Sequence, residues 1–394
     1  MTTAKLNSIW TPTFALLCLA QFLGYAQQFM LNPTFPLYIT QLGGTPFVIG
    51  LVLFWFAATS VIFRPIVGYW ADRWSEAGML NSGLVVLAAS VLLCFFPFVG
   101  ALMVANALRG IGWAGLNTGG YALLARIAPQ ARRGEAAGYY SGVQSSATIL
   151  FPAVALWLID APLGGFNTVF GSATVLAMIA AGVGVIMARR MPRSARRATD
   201  EPATAWWREL VNLLERDVLL PSSLLLCLQF SLPAVTSFIV LYAREIGVGA
   251  IGSYFVVGGI TSMVARPLLG RVSDKIGPGY SLLAAYALQS GALCLLVMVS
   301  SLGGILISGV LYMLGAAIGG SSTLTLAMQR ANPARRGRAM ATFSVAFPLG
   351  YGTGALLTGS AVGIVGYFWS YLILAGLCAC GLVVTLMNWS NLKS

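Results

Sequence analysis

The chain contains no histidine, and only 11 acidic residues against 23 basic ones among its 394 positions. Without imidazole, a histidine metal site is excluded, and so is a proton relay built on that side chain. Charged residues of all kinds make up 9% of the chain, where an ordinary soluble domain carries about 25%; a soluble globular protein is excluded. The six cysteines (Cys18, Cys94, Cys227, Cys294, Cys378, Cys380) all fall inside apolar runs, where a free thiol packs as a small apolar group, so no disulfide framework is indicated. Cys378 and Cys380 are two apart and point to different helix faces, which makes a poor metal pair. No Gly-x-x-x-x-Gly-Lys loop occurs, which argues against direct drive by ATP. No cofactor, metal or catalytic constellation is expected.

What the chain has instead is apolar length. Hydrophobic residues make up 58% of it, and runs long enough to cross a bilayer, about 20 residues each, follow one another with short gaps. Twelve are read, at 14–39, 47–69, 79–99, 102–127, 136–159, 166–188, 219–242, 251–272, 282–301, 305–328, 340–362 and 366–387. Inside hydrocarbon every backbone amide needs an internal partner, and barrel strands would be half as long, so the expected fold class is an all-α membrane protein. The run after Pro12 is longer than a signal-peptide core and lacks a small-residue cleavage site, so it is read as a retained first helix.

The net charge of +12 then acquires a place. Lys5, Arg73, Arg132, Arg133, the run from Arg189 to Arg216, Arg271, Lys275, Arg335, Arg336, Arg338 and Lys393 all fall on one side of the twelve-segment layout. Arg64, Arg126, Arg266 and Arg330 stand at the matching helix ends, leaving only Arg109 and Arg244 elsewhere. The positive-inside rule puts both termini in the cytoplasm, and the charge reads as orientation in a lipid bilayer rather than as a surface for nucleic acid. The segment 203–217, with Trp206 and Trp207, has the pattern of an amphipathic helix lying on the cytoplasmic interface.

A duplication runs through the chain. "FRPIVGYWADRW" (63–74) returns as "ARPLLGRVSDKI" (265–276), with Arg64, Gly68 and Asp72 each 202 residues before Arg266, Gly270 and Asp274. "ARRGEAAGYYS" (131–141) and "ARRGRAMATFS" (334–344) share a pattern at an offset of 203. Two six-helix halves, 1–188 and 219–394, joined by a polar linker at 189–218, make a parallel, pseudo-symmetric repeat.

On these residues the chain resembles the major facilitator superfamily over its whole length. That family's loop signature, Gly-x-x-x-Asp-basic, is matched by Gly68, Asp72 and Arg73, and again by Gly270, Asp274 and Lys275. The resemblance implies twelve helices, alternating access, and a conformational latch at Arg64, Gly68, Asp72, Arg73, Arg266, Gly270, Asp274 and Lys275. The glycines would let helices approach closely, and the carboxylates would sit against helix N-termini. A plain orientation and packing signal is the alternative. Two family patterns are altered. The helix-four arginine position holds Asn106, with Arg109 one turn later, and the helix-five antiporter glycines are reduced to Phe151-Pro152-Ala153-Val154-Ala155.

Polar residues at helical spacing mark where a substrate would sit between the halves. On the first helix these are Gln21, Tyr25, Gln28 and Asn32; on the fourth, Asn106, Arg109, Trp113 and Asn117. Tyr140 and Gln144 on the fifth, Gln229 on the seventh, Tyr312 on the tenth, and Phe347 and Tyr351 on the eleventh are further candidates. A single amide in a membrane helix is commonly an interhelical tie, but two coherent stripes facing lipid would be costly. Arg109 is read about 10 Å inside the outer end of its helix. Either it snorkels outward towards Asp160, or it faces the cavity and meets a ligand's negative group, the reading preferred here. No acidic residue lies deep in a helix, so coupling to protons, to the substrate's own carboxylate or to no ion is left open.

The texture of the chain resembles bacterial drug and metabolite exporters. The expectation is a monomeric secondary transporter of the bacterial inner membrane exporting a small anionic or zwitterionic compound. Uptake of an organic anion, a lipid flippase and a non-transporting receptor are the alternatives.

Overall fold

The computed structural model of the protein describes residues 9–73, 75–190, 215–332 and 336–392. Helices α1 (Pro12–Gln41), α2 (Pro46–Arg73), α3 (Glu76–Leu92), α4 (Val99–Ile127), α5 (Arg133–Asp160) and α6 (Phe166–Arg190) are followed by α7 (Arg216–Glu245), α8 (Gly252–Ile276), α9 (Pro278–Met298) and α10 (Leu302–Arg330). A last stretch, Arg336–Met387, is broken at Gly366, where φ is 76°. It forms α11 (336–365) and α12 (367–387), and the turn Trp389–Leu392 ends the described chain. No strand occurs among the described residues.

Ten stretches among the described residues are long and apolar enough to cross a membrane, and one of them, Thr342–Met387, contains both α11 and α12. α8 is of transmembrane length but carries Arg266, Arg271, Asp274 and Lys275 at its C-terminal end, which lowers its hydropathy. Together these account for the twelve segments read from the sequence.

Most ends shift by a few residues, and two features differ more substantially from the sequence reading. α3 closes at Leu92 and passes through a 3-10 turn, Leu93–Phe95, because Pro97 cannot continue the ladder. The apolar run up to residue 99 therefore includes a connecting turn in which Phe96 and Phe98 are exposed. α7 was expected to be continuous; it is α-helical over Leu219–Gln229, forms a π turn at Ala234–Phe238, and resumes at Ile239–Glu245. Pro233, with no N–H, opens the ladder there. The amphipathic segment proposed at 203–217 lies outside the described residues except for its last three. Of those, the Glu215 N–H donates to Thr342 Oγ1 at 3.2 Å.

Contacts gather the chain into two compact units. The first holds 9–34 and 58–190; the second holds Phe35–Ala57 and 215–392. In the first, α3 and α4 touch backbone to backbone. A Cβ on Gly83 would stand 2.6 Å from Leu116 N and 2.7 Å from the Gly112 carbonyl oxygen; one on Gly119 would stand 2.6 Å from Leu80 N. Gly112 and Gly115 meet the same seam from the α4 side. In the second unit, the first half of α2 packs on α11 through Gly50, Gly352 and Gly359, and α7 packs on it through Gly350 and Gly354. Small residues serve this purpose in membranes, where van der Waals packing rather than water exclusion holds helices together.

The seam sets a prediction. In Gly112→Val the new methyls would meet Leu87 Cγ and the Gly83 carbonyl, which cannot yield, and overpacking of this kind costs about 1–3 kcal/mol. A clearly lower melting temperature in detergent is expected. Gly142→Ala on α5, where an added Cβ meets nothing within 4 Å, should melt like the wild type. Equal melting of all three proteins would contradict the seam.

Candidate functional site

Gly112, Gly115 and Gly119 occupy the back of α4, and its polar stripe faces the other way, towards α1 and α5. The Tyr25 hydroxyl donates to Asn117 Oδ1 at 2.7 Å, and Asn117 Nδ2 donates to the Trp113 carbonyl at 3.0 Å. The Trp113 ring lies 4.5 Å from that of Tyr25 and 6.2 Å from that of Phe29, which in turn stacks on Tyr25 at 5.8 Å. Three residues expected from the sequence thus meet in one aromatic box. Phe29 was missed because it is apolar, although it stands one turn beyond Tyr25 on the same face. Asn32 is half-buried one turn further on.

Nearer the Ile127 end, Gln21 and Tyr140 lie against the α4 backbone and Gln144 against the Tyr121 side chain. A Cβ on Gly120 would collide with the Tyr140 hydroxyl and stand 3.2 Å from Gln21 Oε1. The Tyr121 hydroxyl donates to Gln144 Oε1 at 3.1 Å, and its ring meets that of Tyr140 edge-on at 5.3 Å. Tyr121 was missed, though the α4 stripe carried one more turn past Asn117 reaches it.

Arg109 is 1% exposed. Its Nη1 donates to Asn106 Oδ1 at 2.6 Å and its Nη2 to the Gln28 carbonyl at 2.9 Å. Ten residues inside the Val99 end, it lies about 15 Å deep at 1.5 Å per residue, close to the middle of a hydrocarbon core about 30 Å thick. The duplication repeats this tie with different chemistry. The residues 203 further on are Tyr312 and Ser231, and their hydroxyls lie 2.7 Å apart, both fully buried.

In the second unit the hydroxyl chain continues to Cys378, whose Sγ donates to Ser231 Oγ at 3.3 Å. Tyr351 and Ser237 hydroxyls lie 3.1 Å apart, and the Tyr371 hydroxyl donates to the Ala234 carbonyl at 3.0 Å. Tyr312 and Tyr351 are thereby both fastened to the broken part of α7. Gln229 is half-buried with its Cβ against Gly350 of α11. Phe347 is exposed and does not join this hydroxyl network. Ser231 and Ser237 were missed because short hydroxyl side chains in an apolar run give no periodic signal.

Of the latch residues, the side chains of Asp72, Arg73 and Asp274 and the surroundings of Gly270 lie outside the described part of the structure. Arg64 is half-buried, while Arg266 and Lys275 are exposed. Among the described residues, a Cβ on Gly68 would meet nothing within 4 Å. Nearby, Arg126 Nη1 and Glu76 Oε2 pair at 2.9 Å, joining the last turn of α4 to the first turn of α3. Both charges complement their helix dipoles. Arg132 binds Glu135 through two nitrogens, and that carboxylate holds its guanidinium above the usual range.

A profile of the Major Facilitator Superfamily matches residues 17–332. The staphylopine export protein of Staphylococcus aureus is 24% identical over 375 residues, covering 92% of this chain and 91% of its own. The multidrug resistance protein MdtG of Klebsiella pneumoniae is 26% identical over 393 residues, covering 95% and 93%. A solved POT family transporter in complex with 5-aminolevulinic acid superposes with a TM-score of 0.80 at 12% identity, covering 96% of this chain and 95% of its own; that likeness is one of fold. With its membrane-length helices and its twice-used loop signature, the chain belongs to the Major Facilitator Superfamily and is a multi-pass membrane transporter rather than an enzyme.

Proposed function

We propose that the protein exports a small anionic or zwitterionic organic compound from the bacterial cytoplasm by alternating access, with both termini cytoplasmic and the halves 1–188 and 219–394 moving against each other. Relatives named for staphylopine export and for multidrug resistance support the direction. The observation that carries the substrate charge is the pair of equivalent ties. In the second unit Tyr312 and Ser231 join the two helices with neutral hydroxyls. The fold therefore makes this junction without a charge, and Arg109 adds one at bilayer depth, where an arginine is expensive to keep. A negative group on the cargo gives that charge a purpose. The ring of the cargo would lie in the Tyr25–Phe29–Trp113 box.

Two measurements test this. In proteoliposome efflux assays with paired anionic and neutral compounds, Arg109→Gln should weaken handling of anions by roughly tenfold to hundredfold, the worth of a hydrogen bond to a charged group, and spare neutral ones. Equal losses for both would make Arg109 a structural tie between α1 and α4. Asp72→Asn should lower turnover while expression stays near wild type; unchanged turnover would remove the latch role of the loop signature.

A further inference from the structure

Gln21 and Tyr140 are both 0% exposed, and neither amide atom of Gln21 nor the Tyr140 hydroxyl has a hydrogen-bond partner. Gln144, 8% exposed, spends its Oε1 on Tyr121 and leaves Nε2 unpartnered. These four open atoms come from two helices: the Tyr140 hydroxyl and Gln21 Oε1 meet at Gly120 of a third, and Gln144 is held beside them by Tyr121 of that same helix, whose ring meets that of Tyr140. Each unmade bond costs about 1–3 kcal/mol, and single open atoms occur elsewhere, as at Asn81 and Gln289, whereas Gln21, Tyr140 and Gln144 bring four of them to neighbouring side chains.

The duplication supplies a control. At the positions 203 residues after Gln21, Gly120, Tyr140 and Gln144 stand Leu224, Thr323, Phe343 and Phe347. Leu224 and Phe343 are buried in apolar clusters. Thr323 satisfies its hydroxyl on the Gly319 carbonyl at 2.8 Å. The fold thus accepts apolar side chains at these places, and the polarity in the first unit serves something else.

We propose that Gln21, Tyr140 and Gln144 form a subsite for an uncharged group that both donates and accepts hydrogen bonds, a primary carboxamide or lactam, on the transported compound. The proposal rests on the export reading for its purpose. The open set offers donors at Gln21 Nε2 and Gln144 Nε2, an acceptor at Gln21 Oε1, and a hydroxyl that does either. A carboxylate would satisfy the donors but set its lone pairs against Gln21 Oε1. An ammonium would fail in the opposite sense, and an amide matches both. Exchanging the O and N of Gln21 leaves the argument unchanged, since neither atom is partnered. Tyr121 is the door: it is 48% exposed, lies edge-on to Tyr140 and closes onto Gln144.

Nicotinamide, nicotinate and 3-methylpyridine carry an amide, a carboxylate and a methyl on one ring, and their concentration-dependent thermal stabilisation of the full-length purified protein tests the subsite. Nicotinamide should half-saturate at about tenfold lower concentration than 3-methylpyridine in the wild type, and than both other compounds in Arg109→Gln, where the anion's own partner is removed, the worth of about one net hydrogen bond. Gln21→Leu should erase that difference, and Gly120→Ala, which crowds both side chains, should do the same. Should Gln21→Leu not fold, Tyr140→Phe removes a single oxygen and gives the same reading. Equal stabilisation by all three compounds, or discrimination retained in Gln21→Leu or Tyr140→Phe, would overturn the subsite. Failure of the export reading looks different: discrimination is kept while no compound moves in the proteoliposome assay.

Discussion

Everything proposed for this protein depends on how closely α4 lies against α3. Gly83 faces Gly112 and Gly115 so tightly that no side chain fits between the two backbones. That contact fixes the rotation of α4 about its own axis, and rotation decides which residues turn towards α1 and α5. With the back of the helix committed to glycine, Asn106, Arg109, Trp113, Asn117 and Tyr121 have one direction left to face. The same device recurs at α10, where Gly315 stands 203 residues after Gly112 and a Cβ there would meet the Ala285 carbonyl at 2.7 Å.

Hydrocarbon supplies no hydrogen bonds, so a polar atom placed inside it is costly unless the protein supplies a partner. Most side-chain hydroxyls here return to a carbonyl of their own helix, as Thr34 does to Met30 and Ser222 to Val218. Others mend broken ladders, as Tyr371 does at Ala234 below Pro233. The amides of the first unit behave differently, and the contrast between repeats makes this plain. One backbone plan carries Arg109 with Gln28 in one copy and Tyr312 with Ser231 in the other. Duplication preserved the geometry, and the two copies diverged in chemistry at these positions.

The twelve segments and the repeat were legible because both are written in length and recurrence, signals that a single sequence carries well. The stripes on α1 and α4 were legible too, and Tyr25, Trp113 and Asn117 do meet. What stayed hidden was local. The break in α7 falls within an apolar run and is marked only by Pro233, and the end of α3 only by Pro97. Tyr121 and Phe29 extend stripes already seen, but by a residue that is half apolar and one that is wholly so. The glycine face of α4 was in view as "RGIGWAGLNTGG" (109–120), yet its meaning needed the neighbouring helix. Arg109 could be placed at depth from the sequence, whereas its bonds to Asn106 and the Gln28 carbonyl required the fold.

The central claim is that the front of α4 is the face that holds the cargo, and thermal stabilisation by a panel of anionic, zwitterionic, neutral and cationic compounds, run on wild type and on Trp113→Ala, tests it most directly. The variant should melt within a few degrees of wild type without ligand, because Trp113 lies off the glycine seam, and compounds that stabilise the wild type should lose most of their effect on it. Stabilisation of undiminished size in Trp113→Ala would put the cargo elsewhere and contradict the account.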